Sequence, residues 1–352
     1  MRDTFNYRIF FIHEHQPQGA PPLPAPTPAA PAPGVDLLHC REPGGVVATW
    51  AGLHDGLQAL VDAPAAQPHF IDRLLRLEAH ALHTLARHGD DSLFLLVQML
   101  TDPGKHYNIV HAWLCAALCH LVAAECGLDG PEKDALTRAA LTMNIAMSSL
   151  HLQLSGQQAR QVEPSAEQRQ RILNHPRQGA SLLQELGVDD PQWLRCVTDH
   201  HERPDGRGYP AGKRDPDLPT RLLQLCDVFV GRISPRRYRA GIAAQQAMRG
   251  LCLNESLHPD LPGAALIRAV GIHIPGSHVL LANGEIAIVM RRGQHAHTPL
   301  VIALLGRKGA PLAVPLVRDT TEAAFRIVGG IASDEVRLRP SPARLLAWLH
   351  GA

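Results

Sequence analysis

Two adjacent histidines, His200 and His201, run directly into Glu202-Arg203-Pro204-Asp205-Gly206-Arg207-Gly208-Tyr209-Pro210. Neighbouring imidazoles make poor core material, because each ring carries two nitrogens that need partners. They suit metal ligation or acid–base work. Similar groups stand singly in largely apolar surroundings: His111 in a helical pattern, His175 in Asn174-His175-Pro176, and Asp227 in Leu225-Cys226-Asp227-Val228-Phe229. A lone histidine in an apolar helix is more often a hydrogen-bonded core residue than a ligand. Asp227 alone reads equally as a buried acceptor, since an unpaired carboxylate there would be costly. Polar groups isolated on separate apolar helices can nevertheless meet at one point inside a bundle, and the His200–Pro210 string lifts that reading for the whole set.

That string resembles the signature of the HD-GYP family, bacterial metal-dependent phosphodiesterases that act on cyclic di-GMP. The resemblance runs from about residue 107 to 240. In that family an early helix supplies a histidine, matched by His111. A second helix carries a His-Asp dyad, usually within Leu-His-Asp-Ile-Gly-Lys. A His-Pro follows, matched by His175-Pro176, then the double histidine, the Gly-Tyr-Pro at 208–210 and a later aspartate, matched by Asp227. The resemblance thus implies His111, His175, His200, His201 and Asp227 as metal ligands. It implies Tyr209, Arg236 and Arg239 as contacts to the nucleotide, guanidinium groups being well shaped for phosphate. The chemistry it implies is hydrolysis of an anionic diester, for which paired cations neutralise phosphate oxygens and acidify a bridging water.

The dyad itself is missing. Aligning Ala139–Met147 with the family pattern puts Met143 at the dyad histidine, Asn144 at the aspartate and Met147 at the lysine. An amide oxygen carries no negative charge and is a weak bridge between cations; a thioether is too soft for the ions used in hydrolysis. Tyr107 stands where members with three metals carry Glu. The expectation is therefore one divalent ion of the Fe, Mn or Zn class on His175, His200 and His201, with His111 and Asp227 an incomplete second set. No residue is assigned as catalytic. Losing ligands costs several kcal/mol of transition-state stabilisation, on the order of the metal's own contribution. The favoured function is a cyclic di-GMP signalling protein with a degenerate site, acting as nucleotide sensor or scaffold. One alternative is an active phosphodiesterase with a reduced metal site, Asn144 serving as a weak ligand. Another is an interaction module for signalling proteins that needs no nucleotide. The dipeptide His54-Asp55 lies far upstream without partner histidines at the family spacing, and is set aside.

The elements that must position these groups are mostly helical. The fold expected is mainly α: an HD-type helical bundle with a small β-rich C-terminal unit and a Pro-rich N-terminal linker. Residues 1–34 hold an apolar patch at Ile9–Ile12 and a Pro/Ala-rich linker; 35–104 form a helical N-terminal region; 105–272 the HD-GYP-like domain; 273–352 the β-rich unit. Apolar periodicity predicts helices at 105–126, 131–152, 166–187, 191–202, 219–231, 240–252 and 262–270, and Asn283-Gly284 between apolar runs predicts a hairpin. Strands are expected around 279–281, 285–290, 300–305 and 313–317. A formal net charge of +1 gives no electrostatic case for nucleic acid or a membrane surface. Seven cysteines without a Cys-x-x-Cys pair point to reduced thiols and a cytoplasmic protein, with Cys115 and Cys119 read as small buried hydrophobes. No signal-peptide pattern opens the sequence. The uncharged stretches 106–124 and 139–159 contain histidines and amides that fit buried helices better than lipid-facing spans.

Overall fold

Aspartate caps followed by proline set three of the helix starts around the site. The computed structural model describes residues 45–101, 107–147, 150, 163–235, 240–253 and 259–351, within a compact unit spanning 44–352. The N-terminal patch and linker, and Arg236 and Arg239, lie outside the described residues. The helices are α1 (Val46–Asp62), α2 (Phe70–Arg87), α3 (Gly89–Leu100), α4 (Tyr107–Glu125), α5 (Gly130–Thr142), α6 (Ala166–Glu185), α7 (Pro191–Asp199), α8 (Leu218–Ile233), α9 (Ala244–Cys252) and α10 (Leu261–Val270). Ser165 and Gln168 cap each other's amides at the start of α6. Asp190, Asp217 and Asp260 accept from first-turn amides of α7, α8 and α10, each with a proline at one of the first two positions.

The central helix is α4. It packs against α1, α3, α5, α8 and α10, and its residues from Ile109 to Cys119 are all buried. It is long and apolar enough to cross a membrane by length and composition, but most of it is buried against the other helices. Leu114, Leu118 and Val122 meet Leu136 of α5, Leu222 and Phe229 of α8 and Leu266 of α10 in one continuous core. Each such aliphatic side chain taken from water contributes about 1.5–3 kcal/mol.

After α10 the chain forms β1 (His278–Leu281), β2 (Ile286–Arg291), β3 (Leu300–Leu305), β4 (Pro311–Asp319) and β5 (Ile327–Ile331), an antiparallel sheet in the order β4-β3-β2-β1-β5. The β1–β2 turn sits at Asn283-Gly284 as expected: Gly284 has φ +85° and Asn283 accepts from the Glu285 amide. Alternation divides the sheet. Ile288, Met290, Ile302 and Leu304 join the helical core, while Val279, Ala287, Val289 and Val301 build a small second core with Phe325 and Ile327. A final helix, α11 (Pro342–Leu349), lies against α3.

Four elements depart from the sequence expectation, the unanticipated helix α11 among them. The helix expected over 131–152 ends at Thr142, and a 3-10 turn follows at Ile145–Met147. The indole of Trp193 donates to the Thr142 hydroxyl at 2.8 Å, tying this corner to α7. The helix expected to 202 stops at Asp199, leaving His200 and His201 in the turn beyond it. Strand β5 was not anticipated because Gly329-Gly330 is a poor strand signal. Gly330 is there for close approach: a Cβ would lie 3.1 Å from the Cβ atoms of Ala243 and Gln245, and its amide donates to the Gln245 side chain.

Candidate metal centre

The first half of the site is built from backbone carbonyls that helix geometry leaves without an amide. Pro176 lies inside α6 and has no N–H, so the carbonyl of Ile172, four residues earlier, loses its usual helical donor. His175 Nδ1 lies 2.6 Å from that oxygen. His200 Nδ1 lies 2.7 Å from the carbonyl of Val197, in the last turn of α7, where carbonyls lack helical partners. Both contacts require the proton on Nδ1. Each ring's Nε2 then presents a lone pair, and these two nitrogens face each other at 3.2 Å. Two acceptors at that distance form no hydrogen bond between neutral rings; a shared cation resolves the contact, with Zn–N lengths of ~2.0–2.1 Å placing ligand nitrogens about this far apart.

His201 completes the corner. Its ring centroid is 4.0 Å from that of His200 and 5.1 Å from that of His175. One ligand atom from each of the three residues lies within 4.8 Å of the others, and all three are buried. Burial pushes the His201 pKa well below the ordinary range, and the neighbouring His200, His175 and His111 push it the same way. Burial likewise lowers His200, although the field of Asp227 opposes it. Neutral imidazole is the form that binds metal.

The Gly-Tyr-Pro loop folds back over this corner. The Tyr209 ring stacks on His201, centroids 4.5 Å apart, and its buried hydroxyl has no hydrogen-bond partner among the described residues. Burial first, then the Asp227 charge, raises the Tyr209 pKa well above the phenol range, so the hydroxyl remains a donor. Gly208 is obligatory, because a Cβ would meet His201 O, Glu202 Cα and Arg203 N at 2.5 Å. Glu202, fully buried, accepts from the amides of Ala211 at 2.6 Å and Lys213 at 2.8 Å. It is the loop's anchor, a role its sequence position did not reveal. Lys213 pairs with buried Asp199 at 2.6 Å.

The second half lies between α4 and α8. His111 Nε2 is 2.8 Å from Asp227 Oδ1, and its Nδ1 is 2.7 Å from the Tyr107 hydroxyl. Burial pushes the Asp227 carboxyl up, but the bond to His111 and the fields of His111, His200 and His175 outweigh it, holding it below the usual carboxylate range. The structure thus brings His175, His200 and His201 into one group and His111 and Asp227 into another. It adds a residue the sequence reading had treated only as packing: Cys115 offers its Sγ within 4.8 Å of ligand atoms of His111 and Asp227. Its spacing of four from His111 on one helix was the available signal.

Met143 and Asn144 sit at the corner between α5 and the 3-10 turn. Met143 is fully buried, and its carbonyl approaches Gly179, one turn beyond His175 on α6. Asn144 Oδ1 is buried with no hydrogen-bond partner among the described residues. The facing imidazole nitrogens of His175 and His200 fit a divalent cation, whereas Asn144 offers an uncharged amide that supplies no charge to bridge two. His54 is buried in α1 with Nδ1 3.1 Å from its neighbour Asp55, in neither group.

A family model described as HD domain matches residues 73–261. Cyclic di-GMP phosphodiesterase PA4108 of Pseudomonas aeruginosa is 28% identical over 297 residues, covering 79% of this chain and 67% of that protein. The 3'3'-cGAMP-specific phosphodiesterase 1 of Vibrio cholerae is 27% identical over 161 residues, 45% of this chain and 36% of that protein. The 3'3'-cGAMP-specific phosphodiesterase 3 of the same organism is 26% identical over 198 residues, 53% and 40%. The chain therefore spans about two thirds of the first relative and less than half of the other two. Among solved structures, Bd1817, an HDG"Y"P protein from Bdellovibrio bacteriovorus, matches 63% of this chain and 72% of its own at 16% identity and a TM-score of 0.47.

Proposed function

This chain belongs to the HD domain family, with the HD-GYP signature at 200–210, and from that premise we propose that residues 105–272 bind a cyclic dinucleotide of the cyclic di-GMP type while hydrolysing it weakly or not at all. The reading rests on one observation above others. His175 and His200 have both Nδ1 atoms committed to backbone carbonyls and both Nε2 atoms aimed at one point, an arrangement that suits one cation. A divalent ion of the Fe, Mn or Zn class held there with His201 would neutralise phosphate oxygens and acidify a bound water. The protein's own part is to orient and shield. Tyr209 offers a buried hydroxyl as donor beside His201, and the loop anchored by Glu202 covers the histidines. Arg236 and Arg239, from the family resemblance, would grip phosphate. Against turnover stand Met143 and Asn144, which supply no charge to bridge two ions.

The relatives named as phosphodiesterases favour a second reading, an enzyme working with a reduced site. A third is docking to signalling proteins without nucleotide. The six described cysteines are unpaired thiols, five of them buried, which suits a reducing cytoplasm. Calorimetry with cyclic di-GMP and product analysis, with manganese, iron and zinc supplied in turn, separates the readings. Binding without linear product is expected. Multiple turnover selects the enzyme, and neither binding nor cleavage selects the interaction module.

A further inference from the structure

We infer that His111, Cys115 and Asp227 form a second cation site, of mixed imidazole, thiolate and carboxylate type, in which Cys115 replaces the donors lost with the dyad. The inference concerns residues distinct from the three-histidine corner and stands whether or not that corner binds nucleotide. His111 and Cys115 are four apart on α4, so both side chains leave the same face of one rigid helix. Asp227 comes from α8, which packs directly on α4. One ligand atom from each residue lies within 4.8 Å of the others. With Zn–N and Zn–O near 2.0–2.2 Å and Zn–S about 2.3 Å, tetrahedral ligands stand roughly 3.3–3.8 Å apart, so small side-chain rotations close this set on one ion.

Charge gives the second argument. The Asp227 side chain is 14% exposed on α8, and Cys115 is fully buried close to it. A divalent ion with one thiolate, one carboxylate and a neutral imidazole is an electrically neutral assembly, which removes the cost of an isolated buried charge. The Tyr107 hydroxyl on His111 Nδ1 provides the outer partner that orients a metal-bound imidazole. Sulfur makes the site selective. A thiolate favours zinc or cobalt over manganese or magnesium, whereas the all-imidazole corner makes no such distinction through sulfur.

The test uses the full chain, stripped with chelator and titrated with cobalt(II). Wild type is expected to take up about two ions, one more than the missing dyad implies from the sequence, and to develop a sulfur-to-cobalt charge-transfer band in the near ultraviolet. Cys115→Ser should abolish the band and remove one equivalent, as should Asp227→Asn. Cys119→Ser and Cys226→Ser should keep it, and His200→Ala should keep the band while losing the other equivalent. No band in wild type, or a band that survives Cys115→Ser, overturns the assignment. Zinc-edge absorption on wild type needs no variant: a sulfur neighbour at ~2.3 Å is expected, and a purely nitrogen and oxygen shell overturns the inference.

Discussion

The two ligand groups of this bundle are held by different means. In the corner of His175, His200 and His201, the first two rings are fixed by the backbone, through carbonyls that Pro176 and the end of α7 leave without helical donors, and His201 packs against them and Tyr209. The pair of His111 and Asp227 is held through side chains, Tyr107 to His111 to Asp227, between helices α4 and α8. Backbone anchoring locks the tautomer and the ring plane before any ion arrives. Side-chain anchoring leaves the second group adjustable, and its three residues can regroup around a cation.

The sharpest way to break this comparison is to remove a backbone-anchored ligand. His200→Ala should weaken metal binding by more than about 100-fold, beyond what outer partners alone cost, as read by competition with a chelating dye. A loss of only a few-fold would show that the corner does not ligate as a unit. Pro176→Ala comes next. It returns an amide to the Ile172 carbonyl, which then competes with His175 Nδ1. Metal affinity should drop by about 10-fold, while the metal-free protein becomes no less stable to heat, since proline inside a helix is unfavourable. Unchanged affinity would remove the carbonyl from the account.

Gly208→Ala probes the loop over the corner. The clash with three backbone atoms should cost about 1–3 kcal/mol in urea unfolding, as overpacking does, and should strip the Tyr209 stack from His201. A neutral result would mean the loop can move away freely. The smallest effect belongs to the side-chain-anchored pair: Tyr107→Phe removes one hydrogen bond to His111 and should cost about 0.5–1.5 kcal/mol of stability. An effect as large as that of Gly208→Ala would mean that the two groups are equally rigid and the comparison is mistaken.

Much of this was legible in the sequence. The helices and the Asn283-Gly284 hairpin followed from periodicity and turn chemistry, while the gathering of polar residues from separate helices was implied by the family resemblance of the His200–Pro210 string. Other features were not legible, each for a physical reason. Strand β5 contains two glycines whose purpose, close approach to α9, is visible only once α9 is beside it. The early end of α5 depends on Trp193, fifty-one residues on, reaching the hydroxyl of Thr142. Glu202 looked like a companion of the histidines; it turned inward to hold the amides of Ala211 and Lys213.

By itself the sequence determined which residue types were available: imidazoles at 111, 175, 200 and 201, a carboxylate at 227, a proline placed to release one carbonyl, and no acid at 143–144. These are matters of covalent identity and local helix geometry, which neighbours along the chain dictate. Only the tertiary structure decided that both Nε2 atoms of His175 and His200 meet face to face, and that the Cys115 thiol lies beside His111 and Asp227. Those facts depend on how α4, α6, α7 and α8 pack, and packing brings together side chains more than a hundred residues apart, as His111 and Asp227 are.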